Sequence, residues 1–91
     1  MRLPNGARGE VAARLGGRSV RLCVTLGALA ALESHFGVSG FAALAERLKV
    51  MGAGDVMVVL KALCVEDTDL TSVGFAEAIA AIVQAFEAMH G

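Results

Sequence analysis

The sequence predicts an α+β fold, in which an N-terminal β-hairpin at about residues 9–24 packs on a bundle of about four α-helices. Alternating apolar and polar residues on both sides of Gly16 and Gly17 predict two short paired strands. Apolar residues at helical spacing follow through the rest of the chain. The length of 91 residues fits one domain. We expect residues 1–8 to be a flexible tail and residues 9–91 to form that domain.

The hairpin register follows from the turn. With Gly16 and Gly17 as a two-residue turn, Leu15 lies opposite Arg18. The further pairs are Ala13–Val20, Val11–Leu22 and Gly9–Val24. One face then carries Val11, Ala13, Leu15, Val20, Leu22 and Val24, and the other carries Glu10, Ala12, Arg14, Ser19, Arg21 and Cys23. The turn residues and the alternation of apolar and polar residues predict the same pairing. A slip by one residue would move the apolar side chains to the opposite face.

The first two helices are predicted from caps and apolar spacing. Thr25 is a suitable N-cap for a helix over about residues 26–36, and Gly37 is placed where that helix would end. Ser39 is the predicted cap of a short second helix. Its apolar side would carry Phe41, Leu44, Ala45 and Leu48.

Two further helices complete the bundle. Asp55 is the predicted cap of the segment VMVVLKALCV, which is apolar almost all round and is therefore expected at the centre of the bundle. An acidic loop, EDTDLTS, precedes a last helix over about residues 73–90. We expect Asp67 and Asp69 to cap that last helix.

The last helix has an apolar seam with spacings of four, three, four and three. Its members are Phe75, Ile79, Ile82, Phe86 and Met89. Such spacing is typical of a helix face that packs along another helix. That other helix is either part of the chain's own core or part of another protein, and the sequence leaves both interpretations open.

The composition indicates a protein-interaction surface. Hydrophobic residues make up 56% of the chain and the mean hydropathy is +0.66, which is high for a domain with so little interior. Glu33, Glu46, Lys61 and Glu77 interrupt the apolar runs, so no membrane-spanning helix is expected. The N-terminus has no apolar stretch typical of a secretory signal. We therefore expect a cytoplasmic protein whose surface contacts other proteins.

Charge is distributed unevenly along the chain. Residues 1–24 hold five arginines and one glutamate, a net charge of +4, whereas residues 25–91 have a net charge of −5. The two regions could attract each other within one chain or between copies. Arg14 and Arg21 lie on the outer face of the predicted hairpin, which makes them candidate partner-binding residues.

No constellation in the sequence predicts catalysis, a metal site or a cofactor. The chain has two histidines and no tyrosine or tryptophan. Glu87 and His90 share a helix face but occur as a single pair, whereas dimetal bundles use such a pair twice with further carboxylates. Cys23 and Cys64 show no metal-ligand spacing and are expected to stay reduced. We therefore predict a protein that is not an enzyme and has no cofactor.

Nucleic-acid binding is not expected. Residues 31–48 show the helix, glycine turn and helix pattern of a helix-turn-helix, with Gly37 at the turn. The second helix begins with Phe41, Ala42 and Ala43, which cannot hydrogen-bond to base edges. The acidic remainder of the chain would also repel phosphates.

Residues 8–37 resemble the front half of a small family encoded in the tail gene cluster of gene transfer agents. The resemblance is carried by Arg8-Gly9-Glu10-Val11, the Gly17 turn, and Thr25-Leu26-Gly27-Ala28-Leu29 followed by Leu32-Glu33. The segment FAALAERL, residues 41–48, also resembles the second helix of that family. Members are described as tail tube proteins or as tail assembly chaperones.

The resemblance implies a phage-like tail assembly chaperone that binds the tape measure protein during tail assembly of a gene transfer agent or prophage. The alternative is a structural tail tube component that is retained in the particle. A third interpretation is a generic adaptor or regulator dimer. The expected partners are the tape measure protein and other tail proteins, and contacts between copies of the chain are left open.

Overall fold

The computed structural model describes residues 10–90, except for the side chain of His90. A two-stranded antiparallel sheet precedes four helices, which confirms the predicted α+β fold. The elements are β1 (Val11–Leu15), β2 (Arg18–Leu22), α1 (Leu26–Phe36), α2 (Phe41–Leu48), α3 (Ala53–Leu63) and α4 (Phe75–His90). The predicted tail at residues 1–8 and the predicted pairing of Gly9 with Val24 lie outside the described residues.

The predicted hairpin register is confirmed from Val11–Leu22 to Leu15–Arg18. Gly16 and Gly17 adopt φ angles of 60° and 82°, the left-handed conformations that a tight hairpin turn requires. The inward face is buried at four positions, Ala13, Leu15, Val20 and Leu22. A two-stranded hairpin is marginal in water, so burial of this face is what stabilises it.

The segment that follows α3 pairs with the outer edge of the hairpin. After Leu63 the chain becomes extended, and Cys64 forms a β-bridge with Leu22. The N–H of Val65 donates to the carbonyl of Arg21 at 3.0 Å, and the N–H of Cys23 donates to the carbonyl of Leu63 at 2.8 Å. The predicted third helix included Cys64 and Val65, which was wrong, because this segment pairs with the outer edge of β2 instead.

Helix α1 has the predicted bounds and caps. Thr25 Oγ1 accepts a hydrogen bond from the N–H of Ala28 at 3.0 Å. Gly37 ends the helix with a φ of 67°, and its N–H bonds to the carbonyl of Glu33.

The predicted caps of α2 and α3 were wrong. Gly40, not Ser39, is the N-cap of α2, with a φ of 91° that disfavours a side chain, and its N–H donates to Glu33 Oε2 at 2.8 Å. Helix α3 begins earlier than predicted, with Gly52 as its N-cap. Asp55 lies in the first turn, where Oδ2 accepts from the N–H of Gly52 at 3.1 Å. A carboxylate at this position satisfies a free N–H and so stabilises the helix start.

Helix α3 buries one face and not its whole surface. Val56, Val59, Leu60 and Leu63 are buried. Met57 is 40% exposed and Val58 is 38% exposed, so the prediction of a helix surrounded by the bundle was too strong.

Neither Asp67 nor Asp69 caps α4, which begins at Phe75. Asp69 Oδ1 instead accepts hydrogen bonds from the N–H and the hydroxyl of Thr71, at 3.1 and 2.8 Å. These bonds hold the pKa of Asp69 below its usual value. They fix the turn that places Leu70 in the core, where it is 6% exposed.

One hydrophobic core joins the hairpin to the helices. Helix α4 packs on β1 and α3, and α1 packs on α3 and α2. The core residues are Ala13, Leu15, Val20, Leu22, Ala28, Leu32, Leu44, Val56, Val59, Leu60, Leu63, Leu70, Ala78, Ala81, Ile82 and Ala85.

Candidate protein-interaction surface

Helix α4 turns mainly small residues toward the core, with the larger Ile82 among them. Ala78, Ala81 and Ala85 are buried, together with Ile82. Since each helical residue is rotated by about 100°, the face formed by Phe75, Ile79, Val83 and Phe86 lies to one side of these alanines. Alanines allow a helix to approach its neighbours closely. Apart from Ile82, the bulky residues of this face are therefore placed at the edge of the core.

The predicted seam of α4 thus lies at the border between core and solvent. Ile82 is 3% exposed, and Phe75 is 55% exposed. Ile79, Phe86 and Met89 are half-buried. Ile82 belongs to the core, and Ile79 and Phe86 pack against it. The exposed parts of these two side chains and of Phe75 leave apolar area available to another molecule.

An apolar groove runs between α2 and α4, which we call the α2–α4 groove. It has a volume of about 300 Å³, and its walls include Phe41, Leu48, Ile79, Val83 and Phe86, with Glu87 as the charged residue among its lining. Phe41 and Phe86 lie across it with ring centroids 6.1 Å apart. Val83 is 49% exposed and Phe41 is 41% exposed, so the groove is open to solvent.

A second apolar groove lies beside the start of α4. Its volume is also about 300 Å³, and it is lined by Met57, Leu70, Val73, Phe75 and residues of the first turns of α3. The two grooves follow each other along α4, from Phe75 to Phe86. That distance is about 16 Å, or roughly three helical turns.

The basic hairpin binds the acidic loop of the same chain. Arg21 Nη2 lies 3.1 Å from Glu66 Oε2, and Arg18 donates to the carbonyl of Asp69 at 2.8 Å. The N–H of Gly16 donates to Glu77 Oε1 at 3.0 Å. At least part of the opposite charge of the two regions is therefore matched within one molecule.

The two predicted arginine contacts lie apart from the grooves of α4. Arg14 donates to the carbonyl of Gly17 at 3.2 Å, and Arg21 lies between Glu66 and Glu10. Neither arginine lines the two grooves. The structure therefore does not bring Arg14 and Arg21 together with the apolar residues of α4, and both remain predicted contacts.

Sequence reasoning missed the α2 side of the groove. Phe41 and Leu48 are predicted only as part of an ordinary apolar helix face, and their helical spacing was the available signal. It also missed a contact between α1 and α3, where His35 Nε2 lies 2.9 Å from Asp55 Oδ1. These two residues are 20 positions apart, so no local pattern could have paired them.

A third cavity lies under the outer edge of β2. It has a volume of about 510 Å³ and is lined by Glu10, Thr25, both cysteines and the residues around Leu63. Glu10 Oε1 is buried and accepts no hydrogen bond within residues 10–90, and Arg21 Nη1 lies 3.8 Å away. Burial raises the pKa of the Cys64 thiol, which makes a reactive thiolate less accessible.

The described residues form neither a metal centre nor a membrane span. No group of three or more His, Cys, Asp or Glu side chains among them is arranged to hold a metal ion. Between residues 10 and 90, no single helix is long and apolar enough to cross a membrane, and α1 and α2 pass that test only as a pair bent by 66°.

Comparisons with known proteins agree with the sequence resemblance. No curated protein and no solved structure matches the chain significantly. The family described as "Phage tail tube protein, GTA-gp10" matches residues 8–89, which include the hairpin, the first three helices, nearly all of α4 and both of its grooves. Because the match covers almost the whole chain, this protein belongs to the GTA-gp10 phage tail tube protein family.

Proposed function

We propose that the protein is a tail assembly chaperone, a non-enzymatic cytoplasmic protein that binds the tape measure protein while the tail is assembled. The observation that carries this proposal is the outward placement of bulky apolar residues on α4, beside two open grooves. A chaperone for an apolar, elongated client needs apolar area beyond that of its own core. It needs no catalytic group.

The length and shape of the apolar surface support a helical client. The stripe from Phe75 to Phe86 extends over roughly three turns, and α2 and the start of α3 form its walls. Amphipathic helices bind such grooves through residues at positions i, i+3, i+4 and i+7. Burial of the exposed parts of Phe75, Val83 and Phe41 would supply the main gain in free energy.

Co-expression tests the proposal. The tape measure protein from the same tail gene cluster is expressed with and without this chain. The expected result is a soluble complex that co-purifies, whereas the tape measure protein expressed alone aggregates. If the two proteins do not co-purify, the chaperone function is excluded.

A structural tail tube protein is the second candidate function, and the description of the family favours it. A tube subunit would use the same apolar surface for contacts between neighbouring copies. Mass spectrometry of purified particles separates the two candidates. A chaperone is absent from finished particles, and a tube subunit is present in many copies. Family membership favours both candidates over a generic adaptor.

A further inference from the structure

Most of the charged side chains between residues 10 and 90 have a partner within the chain. Among the basic ones, the hairpin arginines bind the acidic loop or the turn, Lys49 lies 3.0 Å from Glu46, and Arg47 stacks over Phe36. Lys61 makes no hydrogen bond or ion pair in this part of the chain, although its charge interacts electrostatically with the carboxylate of Asp69. Among the acidic side chains, Glu87 and Asp67 likewise make no hydrogen bond or ion pair with the described residues.

Lys61 ends an outward-facing ridge on α3. The ridge consists of Gly54, Met57, Val58 and Lys61, which follow the spacing i, i+3, i+4 and i+7 on one side of the helix. We call it the α3 ridge. Met57 and Val58 are 40% and 38% exposed, so the ridge offers two apolar side chains next to one cation.

The α2–α4 groove has the complementary pattern. Its walls are apolar, and Glu87 is the charged residue among its lining. A helix that enters the groove with a cation beside its apolar residues can cover the exposed side chains and pair that carboxylate. The α3 ridge of another copy has this combination.

We propose that a second copy of this chain binds the α2–α4 groove with its α3 ridge. Met57 and Val58 of one copy cover Val83 and Phe86 of the next, and Lys61 of the first copy pairs with Glu87 of the second. The ridge and the groove are different surfaces of one chain, so every copy offers both. Such contacts either are reciprocal in a dimer or continue head to tail into a ring or filament.

This contact does not rest on the chaperone function, and it assigns specific surfaces to the contact between copies that a tube subunit would also make. By covering the groove, the second copy would reduce the apolar surface that the chain exposes before it meets a partner. A client helix that enters the groove then displaces the second copy. The purified chain alone is sufficient for the test.

Charge reversal at the two ends of the contact tests the proposal. The mass of the purified chain is measured by light scattering and sedimentation over a range of concentrations, at low and high salt. Wild type is expected to associate, and more weakly at high salt. Lys61→Glu alone and Glu87→Lys alone should each weaken association about tenfold, because attraction is replaced by repulsion.

A mixture of the two variants provides the decisive arm. In one contact, the carboxylate introduced at position 61 of the first variant meets the ammonium group introduced at position 87 of the second. In the opposite contact, the unchanged Lys61 of the second variant meets the unchanged Glu87 of the first. Association should therefore return in the equimolar mixture, and also in the double variant, where both charges are exchanged.

Asp67→Lys is the matched control for Glu87→Lys. It changes the net charge by the same amount, but Asp67 lies outside the α2–α4 groove. This variant should associate like wild type.

Three results would overturn the proposal. The first is a wild-type chain that stays monomeric at all concentrations. The second is single variants that associate like wild type. The third is a mixture that associates no better than either variant alone. Circular dichroism of each variant shows that the fold is retained, and co-purification with the tape measure protein remains a separate measurement of the proposed function.

Discussion

His35 Nε2 lies 2.9 Å from Asp55 Oδ1, which joins the last turn of α1 to the first turn of α3. The other oxygen of Asp55 accepts from the N–H of Gly52 at 3.1 Å. One carboxylate thus stabilises the start of α3 and its contact with α1. The hydrogen bond from His35, followed by that from Gly52, holds the pKa of Asp55 below its usual value.

This lowered pKa predicts a dependence of stability on pH. A carboxylate whose folded-state pKa lies below its unfolded value stabilises the protein above the unfolded pKa, and that contribution disappears as the pH falls through the folded pKa. We expect Asp55→Asn to lower the midpoint of thermal unfolding at pH about 7, and the difference from wild type to shrink toward pH about 3.

Circular dichroism during heating measures this effect, with Asp67→Asn as the control because Asp67 makes no such hydrogen bond among the described residues. A difference between Asp55→Asn and wild type that stays constant down to the lowest pH would contradict the assigned role of the carboxylate.

The alanine face of α4 predicts an asymmetric response to larger side chains. Ala85 is fully buried, so Ala85→Leu should lower the free energy of unfolding by about 1–3 kcal/mol through overpacking. Ala80 is exposed on the same helix, and Ala80→Leu should change it by less than about 0.5 kcal/mol. Urea unfolding measures both variants. Equal effects would mean that the orientation of α4 is different from the one described.

The hairpin turn predicts a glycine requirement at Gly17, where φ is 82°. Gly17→Ala should cost about 1–2 kcal/mol of unfolding free energy, because a Cβ atom disfavours this conformation. A Cβ there meets no atom within 4 Å, so the loss reflects backbone conformation and not a clash. Gly17→Asn should cost less, since asparagine tolerates left-handed conformations in such turns. An alanine variant as stable as the asparagine variant would contradict the turn assignment.

Much of the fold could be predicted from local patterns. The hairpin register required only the two glycines and the period-two alternation, and α1 required only Thr25, Gly37 and the apolar spacing between them. Both depend on residues close in sequence, for which local physical rules are strong.

The parts that the sequence did not predict depend on distant residues. Helix α3 ends before Cys64 because the edge of β2, distant in sequence, accepts a hydrogen bond from Val65 through the carbonyl of Arg21. The spacing of the apolar seam on α4 also did not show that the alanines beside it, and only part of the seam itself, face the core. Which side chains of α4 face the core depends on the space between β1 and α3. The sequence of α4 alone does not determine that space.

The binding of the tape measure protein by groove variants tests the central claim most directly. Val83→Asp places a charge in the α2–α4 groove, and Gln84→Asp places the same charge on the next residue of α4, which does not line the groove. We predict that Val83→Asp weakens binding at least about tenfold, because the client would have to bury an unpaired carboxylate, whereas Gln84→Asp binds like wild type. Equal affinities of the two folded variants would contradict the assignment of this groove as the binding surface.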